Sequence, residues 1–211
     1  MQHRFEEYFA KTVLENCFPD RLSELTVKDK PDLWSKNNIG IEVTNCMPQK
    51  VVEQIHLWRR ISKNGTTNQA RNIERLKKLG MEYSGGSFVW DQGLYSNNIA
   101  ESPIRFFLNA VEKKVEKLNS IKSNYATMNS YELFVNSFIF IPVGQMREVV
   151  ERLKIINNKP KKFDIIYLLT NEQKLLIFDM KKITLQQMHL YNRLDFWAEL
   201  AYQTYIEEKI I

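Results

Sequence analysis

The sequence predicts an α/β protein with a mixed central β-sheet flanked by helices. Two amphipathic helical stripes, at residues 5–17 and 104–118, bracket a set of short strand patterns. The most apolar run, YELFVNSFIFIPV (residues 131–143), fits a central strand buried on both faces. Helical and strand patterns alternate along the chain, and elements in that order stack as layers around one core.

The first element rests on Phe5, Phe9, Val13 and Cys17, widened by Tyr8 and Leu14, which is helical spacing. After FPDRLSEL come two short strands joined by a turn at Ser35–Asn38. Pro48 suits the first turn of a helix running to about Ile61. GTTN breaks that helix, and Thr67 or Asn68 can cap another reaching Gly80. Glycine and polar residues punctuate 84–98, which reads as a loop or a hairpin. From Pro103 a single stripe joins Ile104, Phe107, Leu108, Val111, Val115 and Leu118. Beyond the apolar run lie a helix near Gln145–Ile156, strands near Phe163–Leu169 and Lys174–Met180, and a terminal helix from about Tyr191. That last helix, with Leu194, Trp197, Ala201 and Tyr205, offers a cover for the sheet or the face of a homodimer.

With 211 residues, 44% of them hydrophobic, the chain can bury a full core as a single domain over 1–211, carrying a basic helical and loop insertion at about 59–98. Cys17 and Cys46 have no CxxC spacing and no neighbouring histidine pair, which argues against a zinc site or a disulfide framework. No stretch approaches 18 consecutive apolar residues, and Met1–Lys30 carries acids where a signal peptide needs an apolar run, so the expectation is a cytoplasmic protein without a membrane segment. A P-loop and a dinucleotide turn are both missing, and His3, His56 and His189 fall in separate elements. The net charge of +5 permits a polyanionic partner. Arg59, Arg60, Lys63, Arg71 and Arg75 crowd one segment, either as a solvated helix face or as a surface along a phosphate backbone.

The chemistry concentrates in KPDLWSKNNIGIEVTN (residues 30–45). Alternation along the second strand sends Ile39, Ile41 and Val43 to one face and Gly40, Glu42 and Thr44 to the other. A carboxylate near a sheet centre requires hydrogen bonds, a cation or a metal. A short hairpin brings Asp32 toward the same face, and two rigidly held carboxylates can share a hard divalent ion. Thr44, about 7 Å further along the strand, can hold a water or the attacking hydroxide. Equally, Pro-Asp often only starts a turn, and a strand glutamate is often an exposed residue.

PDLWSKNNIGIEVTN resembles the core of the PD-(D/E)xK nuclease superfamily, in which a hairpin between two helices carries Asp on one strand and Glu-x-Lys on the next. The resemblance covers residues 1 to about 60 in detail and implies a restriction endonuclease-like fold. It implies Asp32 and Glu42 as ligands of magnesium, or of manganese in its place, with Glu6 or Glu7 as the acid of the first helix. Gln54, four residues before Trp58, is similar to the Gln-x-x-x-Tyr helix of some members. The chain departs from the pattern at Thr44, where the family usually has lysine. Lys114, flanking the apolar stripe of its helix, and Lys50, after the strand, are the candidate replacements; Lys113 and Lys117 read as turned toward solvent. Lys114 can equally snorkel along the stripe into water. The implied function is metal-dependent hydrolysis of phosphodiester bonds, DNA being the expected substrate. The alternative is a catalytically inactive module that binds nucleic acid or a protein partner.

Overall fold

In the computed structural model of the chain, the residues described are 4–46, 57, 69–78, 81–84, 87–90, 103–122, 124–137, 141–170 and 172–210. The chain divides into two compact units, one made of 1–46 with 103–211 and the other of 47–102.

The larger unit begins with α1 (Phe5–Cys17) and a single turn, α2 (Pro19–Leu22), with proline at its start. Three strands follow: β1 (Thr26–Val27), β2 (Leu33–Trp34) and β3 (Ile39–Cys46). β2 and β3 form the expected hairpin, with Leu33 opposite Ile41 and Trp34 opposite Gly40. Its turn is closed by Ser35: the backbone N–H groups of Asn37 and Ile39 donate to Ser35 Oγ at 3.1 and 3.3 Å. Asn38 takes φ of 56°, a left-handed conformation that asparagine tolerates well.

The smaller unit contains α3 (Gln69–Lys78), within the expected helix, whose residues 79 and 80 lie outside the described residues, and a hairpin of β4 (Met81–Ser84) with β5 (Ser87–Trp90). Leu57 and Leu76 are buried, while Arg71, Arg75, Lys77 and Lys78 are exposed.

The larger unit resumes with α4 (Pro103–Asn119) and β6 (Ser130–Ser137). A short 3₁₀ turn and α5 (Met146–Ile156) lead to β7 (Ile165–Leu169), β8 (Lys174–Asp179), β9 (Thr184–His189) and α6 (Leu194–Ile210). The result is a seven-stranded mixed sheet in the order β1-β2-β3-β6-β7-β8-β9. β3, β6 and β7 are parallel, and the outer pairs are antiparallel.

Helices cover both faces. On one, Phe107, Val111, Val115 and Leu118 of α4 and Val149 and Leu153 of α5 pack on Leu133, Val135, Ile166 and Phe178. On the other, Ala10, Val13 and Leu14 of α1 and Trp197 of α6 pack on Ile39, Ile41, Val43, Phe134 and Tyr167. The central strands therefore read as nearly continuous apolar runs, as strands buried on both sides must.

Three sequence expectations change. The expected stripe of α1 holds at Tyr8, Val13 and Leu14, buried together with Ala10, and at Phe9 and Cys17, which pack half-buried against the core; Phe5 departs, turning to α6 and meeting Tyr202 and Tyr205 edge-on. The terminal helix begins at Leu194, after a turn in which Tyr191 and Asn192 have positive φ. β9 is an additional strand: most of its side chains are exposed, so TLQQMH carries too little apolar alternation to announce itself.

Candidate active site

The hairpin register, continued by one residue, sets Asp32 across from Glu42. Proline 31 fixes this corner. A Cβ on Gly40 would collide with its ring and with Met128, so only glycine lets the Pro-Asp segment lie flat on β3. Asp32 is buried, and its Oδ2 accepts the backbone N–H of Val43 at 2.7 Å.

Glu42 is fully buried, on the β3 face covered by α4. Its Oε2 accepts a hydrogen bond from Lys114 Nζ at 2.5 Å, and Lys117 Nζ lies at 3.4 Å. Lys114 Nζ is also 3.6 Å from Asp32 Oδ2, so one ammonium spans both carboxylates. The Lys114 side chain is only 13% exposed, and the snorkelling geometry, with its ammonium in water, is not what forms. Helical phase explains the reach: Lys114 sits three residues after buried Val111 and four before buried Leu118, on the edge of the stripe that faces β3.

Lys117 departs from its expected orientation. Its side chain is 47% exposed, yet its ammonium bends back to Glu42 and lies 5.6 Å from the centroid of the Tyr125 ring. Tyr125 is a residue that sequence reasoning missed; it stands in the irregular link between α4 and β6, where no periodicity marks it. Burial and the Glu42 charge hold its phenol pKa well above the ordinary value. The Asp32 carboxyl pKa is likewise raised, first by burial and then by the Glu42 charge, against the opposing pull of Lys114 and the Val43 N–H.

Of the first-helix acids, Glu7 is the buried one, at 5% exposure. Its carboxylate accepts the backbone N–H and Nε of Arg4, both at 3.1 Å, and so caps α1. Its charge still reaches Asp32 and adds to the upward push on that carboxyl. Glu6 is only half-buried. Thr44 is half-buried and lies two residues past Glu42 on the same face of β3. Lys50, Gln54, Arg59, Arg60 and Lys63 lie outside the described residues; Arg71 and Arg75 are on α3 in the smaller unit.

For a hard cation the arrangement offers the carboxylates of Asp32 and Glu42. Glu42 Oε1 is buried without a hydrogen-bond partner, the condition in which a carboxylate oxygen gains most from a cation. Among the described residues no three His, Cys, Asp or Glu side chains come together as an ion cage. The donor set is therefore this pair, completed by water, and magnesium usually retains several waters. A separate cleft of about 500 Å³, lined by Lys11, Glu24, Lys28, Trp34 and Lys36, includes neither carboxylate. No helix among the described residues is long and apolar enough to cross a membrane.

Comparison with known proteins finds no matching family model, no matching curated protein and no matching solved structure.

Proposed function

We propose that the chain is a metal-dependent nuclease that hydrolyses phosphodiester bonds, with DNA as its first substrate class, on a restriction endonuclease-like version of the mixed sheet. The observation that carries this reading is the buried Lys114 ammonium set against both Asp32 and Glu42. In the resembling enzymes a strand lysine lies beside two such carboxylates. Here Thr44 holds that strand position, and Lys114 brings an ammonium to the same carboxylates from a helix.

Magnesium, or manganese in its place, would be held by Asp32 and Glu42 and would supply an acidified water and charge neutralisation at the phosphate. The protein's own groups do the rest. Asp32 is held by the Val43 N–H, which orients its free oxygen. Lys114 stabilises the negative charge that develops on the phosphate oxygens, and the Thr44 hydroxyl orients the attacking water. Exposed arginines of α3 contact backbone phosphates and contribute affinity rather than sequence choice.

A second reading has its own observation. Lys114 and Lys117 already neutralise Glu42, as a closed structural ion cluster would. On that reading the chain is an inactive module that binds nucleic acid or a protein.

Nicking of supercoiled plasmid in magnesium and in manganese separates the two. Wild type is expected to nick, Glu42→Gln to be inactive, and Lys114→Met to lose about 100- to 1,000-fold in rate, the usual cost of one preorganised charge-stabilising group. Wild type that cuts neither single- nor double-stranded DNA or RNA would leave the inactive module standing.

A further inference from the structure

Glu42 is held by only one of its two oxygens. Oε2 receives both lysines, while Oε1 is buried with no hydrogen-bond partner. The other buried side-chain polar atom in that condition among the described residues is the Tyr125 hydroxyl. The two side chains are neighbours, since the Glu42 charge acts on the Tyr125 phenol and Lys117 touches both residues. A buried donor without an acceptor beside a buried acceptor without a donor is costly, and a bond between the two satisfies both.

The surroundings hold Tyr125 in this place. It is 8% exposed and meets Tyr131 edge-on at 6.4 Å between ring centroids. Tyr131 in turn donates its hydroxyl to Ala126 O at 2.7 Å, tying down the link that carries Tyr125.

We propose that Tyr125 is a positioning residue whose hydroxyl donates to one lone pair of Glu42 Oε1 and fixes the plane of that carboxylate, leaving the second lone pair of the same oxygen for the cation shared with Asp32. The inference rests on the metal-dependent reading above. Outer hydrogen bonds of this kind orient a ligand carboxylate, and their loss typically weakens metal affinity 10- to 100-fold.

Tyr125→Phe removes the hydroxyl and keeps the ring. Manganese binding is measured by calorimetry for wild type, Tyr125→Phe, Tyr131→Phe and Glu42→Gln, with metal-free thermal midpoints alongside. Tyr125→Phe is expected to bind manganese about 10- to 100-fold more weakly, with a lowered midpoint, and to lower kcat for nicking without changing KM for DNA. Tyr131→Phe, whose hydroxyl serves a backbone carbonyl, is expected to bind as wild type does. Wild-type affinity in Tyr125→Phe overturns the positioning role alone and leaves the nuclease reading intact. A raised midpoint in Tyr125→Phe does the same, because it means that the hydroxyl had no partner to lose. Wild type that binds no manganese, or Glu42→Gln that binds as well as wild type, overturns both.

Discussion

Asp32 accepts the Val43 amide and lies beside Lys114, two contacts that favour its charged form, yet burial and the Glu42 charge outweigh them and raise its pKa. The consequence for stability has a definite sign. A carboxyl raised in the folded state stabilises the fold below its ordinary range, about 3.9 for aspartate, and that contribution is lost as pH rises through the folded value. Above that folded value metal-free protein carries the Asp32 charge at a cost in stability. Asp32→Asn keeps an oxygen for the Val43 N–H and carries no charge. Its thermal midpoint is expected to exceed that of wild type at pH 7–8, by about 2–4 °C per ~1 kcal/mol in a chain of this size, and the gain is expected to shrink toward pH 4. A constant gain across that range would mean that the charge is not its source. At this scale, Glu42 and Lys114 were legible in the sequence because each sits in a regular period, two along the strand and three to four along the helix. Lys117 and Tyr125 were not. A four-carbon stem can carry an ammonium back around a helix, and an irregular link has no period to read.

Between elements, the sheet face opposite the site carries a second buried charge cluster that ties α2 to the central strands. Arg21 bonds both oxygens of Glu132, at 2.5 and 3.3 Å, and the Tyr167 hydroxyl, which itself donates to Glu132 at 2.8 Å. Glu132 is 1% exposed, so removing its cation would strand a buried carboxylate. Arg21→Met is expected to cost about 3 kcal/mol, the lower end for breaking a buried pair, since the Arg21 side chain is 35% exposed. Urea unfolding measures it, and a loss below about 0.5 kcal/mol would assign Arg21 to the weak class of surface pairs. Nothing in the sequence foretold this cluster. Arg21 and Glu132 are 111 residues apart, and partners across a sheet are chosen by topology rather than by local pattern. The helices at both ends of the chain and the central strands were legible for the opposite reason, since apolar spacing within each element dictates its buried face.

Over the whole molecule, charge is distributed between two kinds of task. The site lysines are drawn into the fold, whereas Arg71 and Arg75 stand exposed on α3 in the unit spanning 47–102. Replacing both arginines by alanine is expected to weaken DNA binding evenly across sequences and to reduce the slope of log affinity against log salt by about 1 per residue. A fluorescence anisotropy titration at several salt concentrations reads this, and an unchanged slope would remove α3 from the interface. The site's own charges have a different separation, along the chain. Asp32 reaches the Val43 amide across 11 residues, while Lys114 comes to Glu42 across 72. Hairpins close in about 1–10 μs, and contacts between distant segments form later. That order predicts that the acidic pair assembles before its counter-cation arrives, which would place the ion pair on the late side of the folding barrier. Lys114→Met is expected to accelerate unfolding in stopped-flow denaturant jumps and to leave the refolding limb nearly unchanged; slowed refolding would place the lysine contact early. On that prediction the ion pair governs how long the folded chain lasts rather than how quickly it forms.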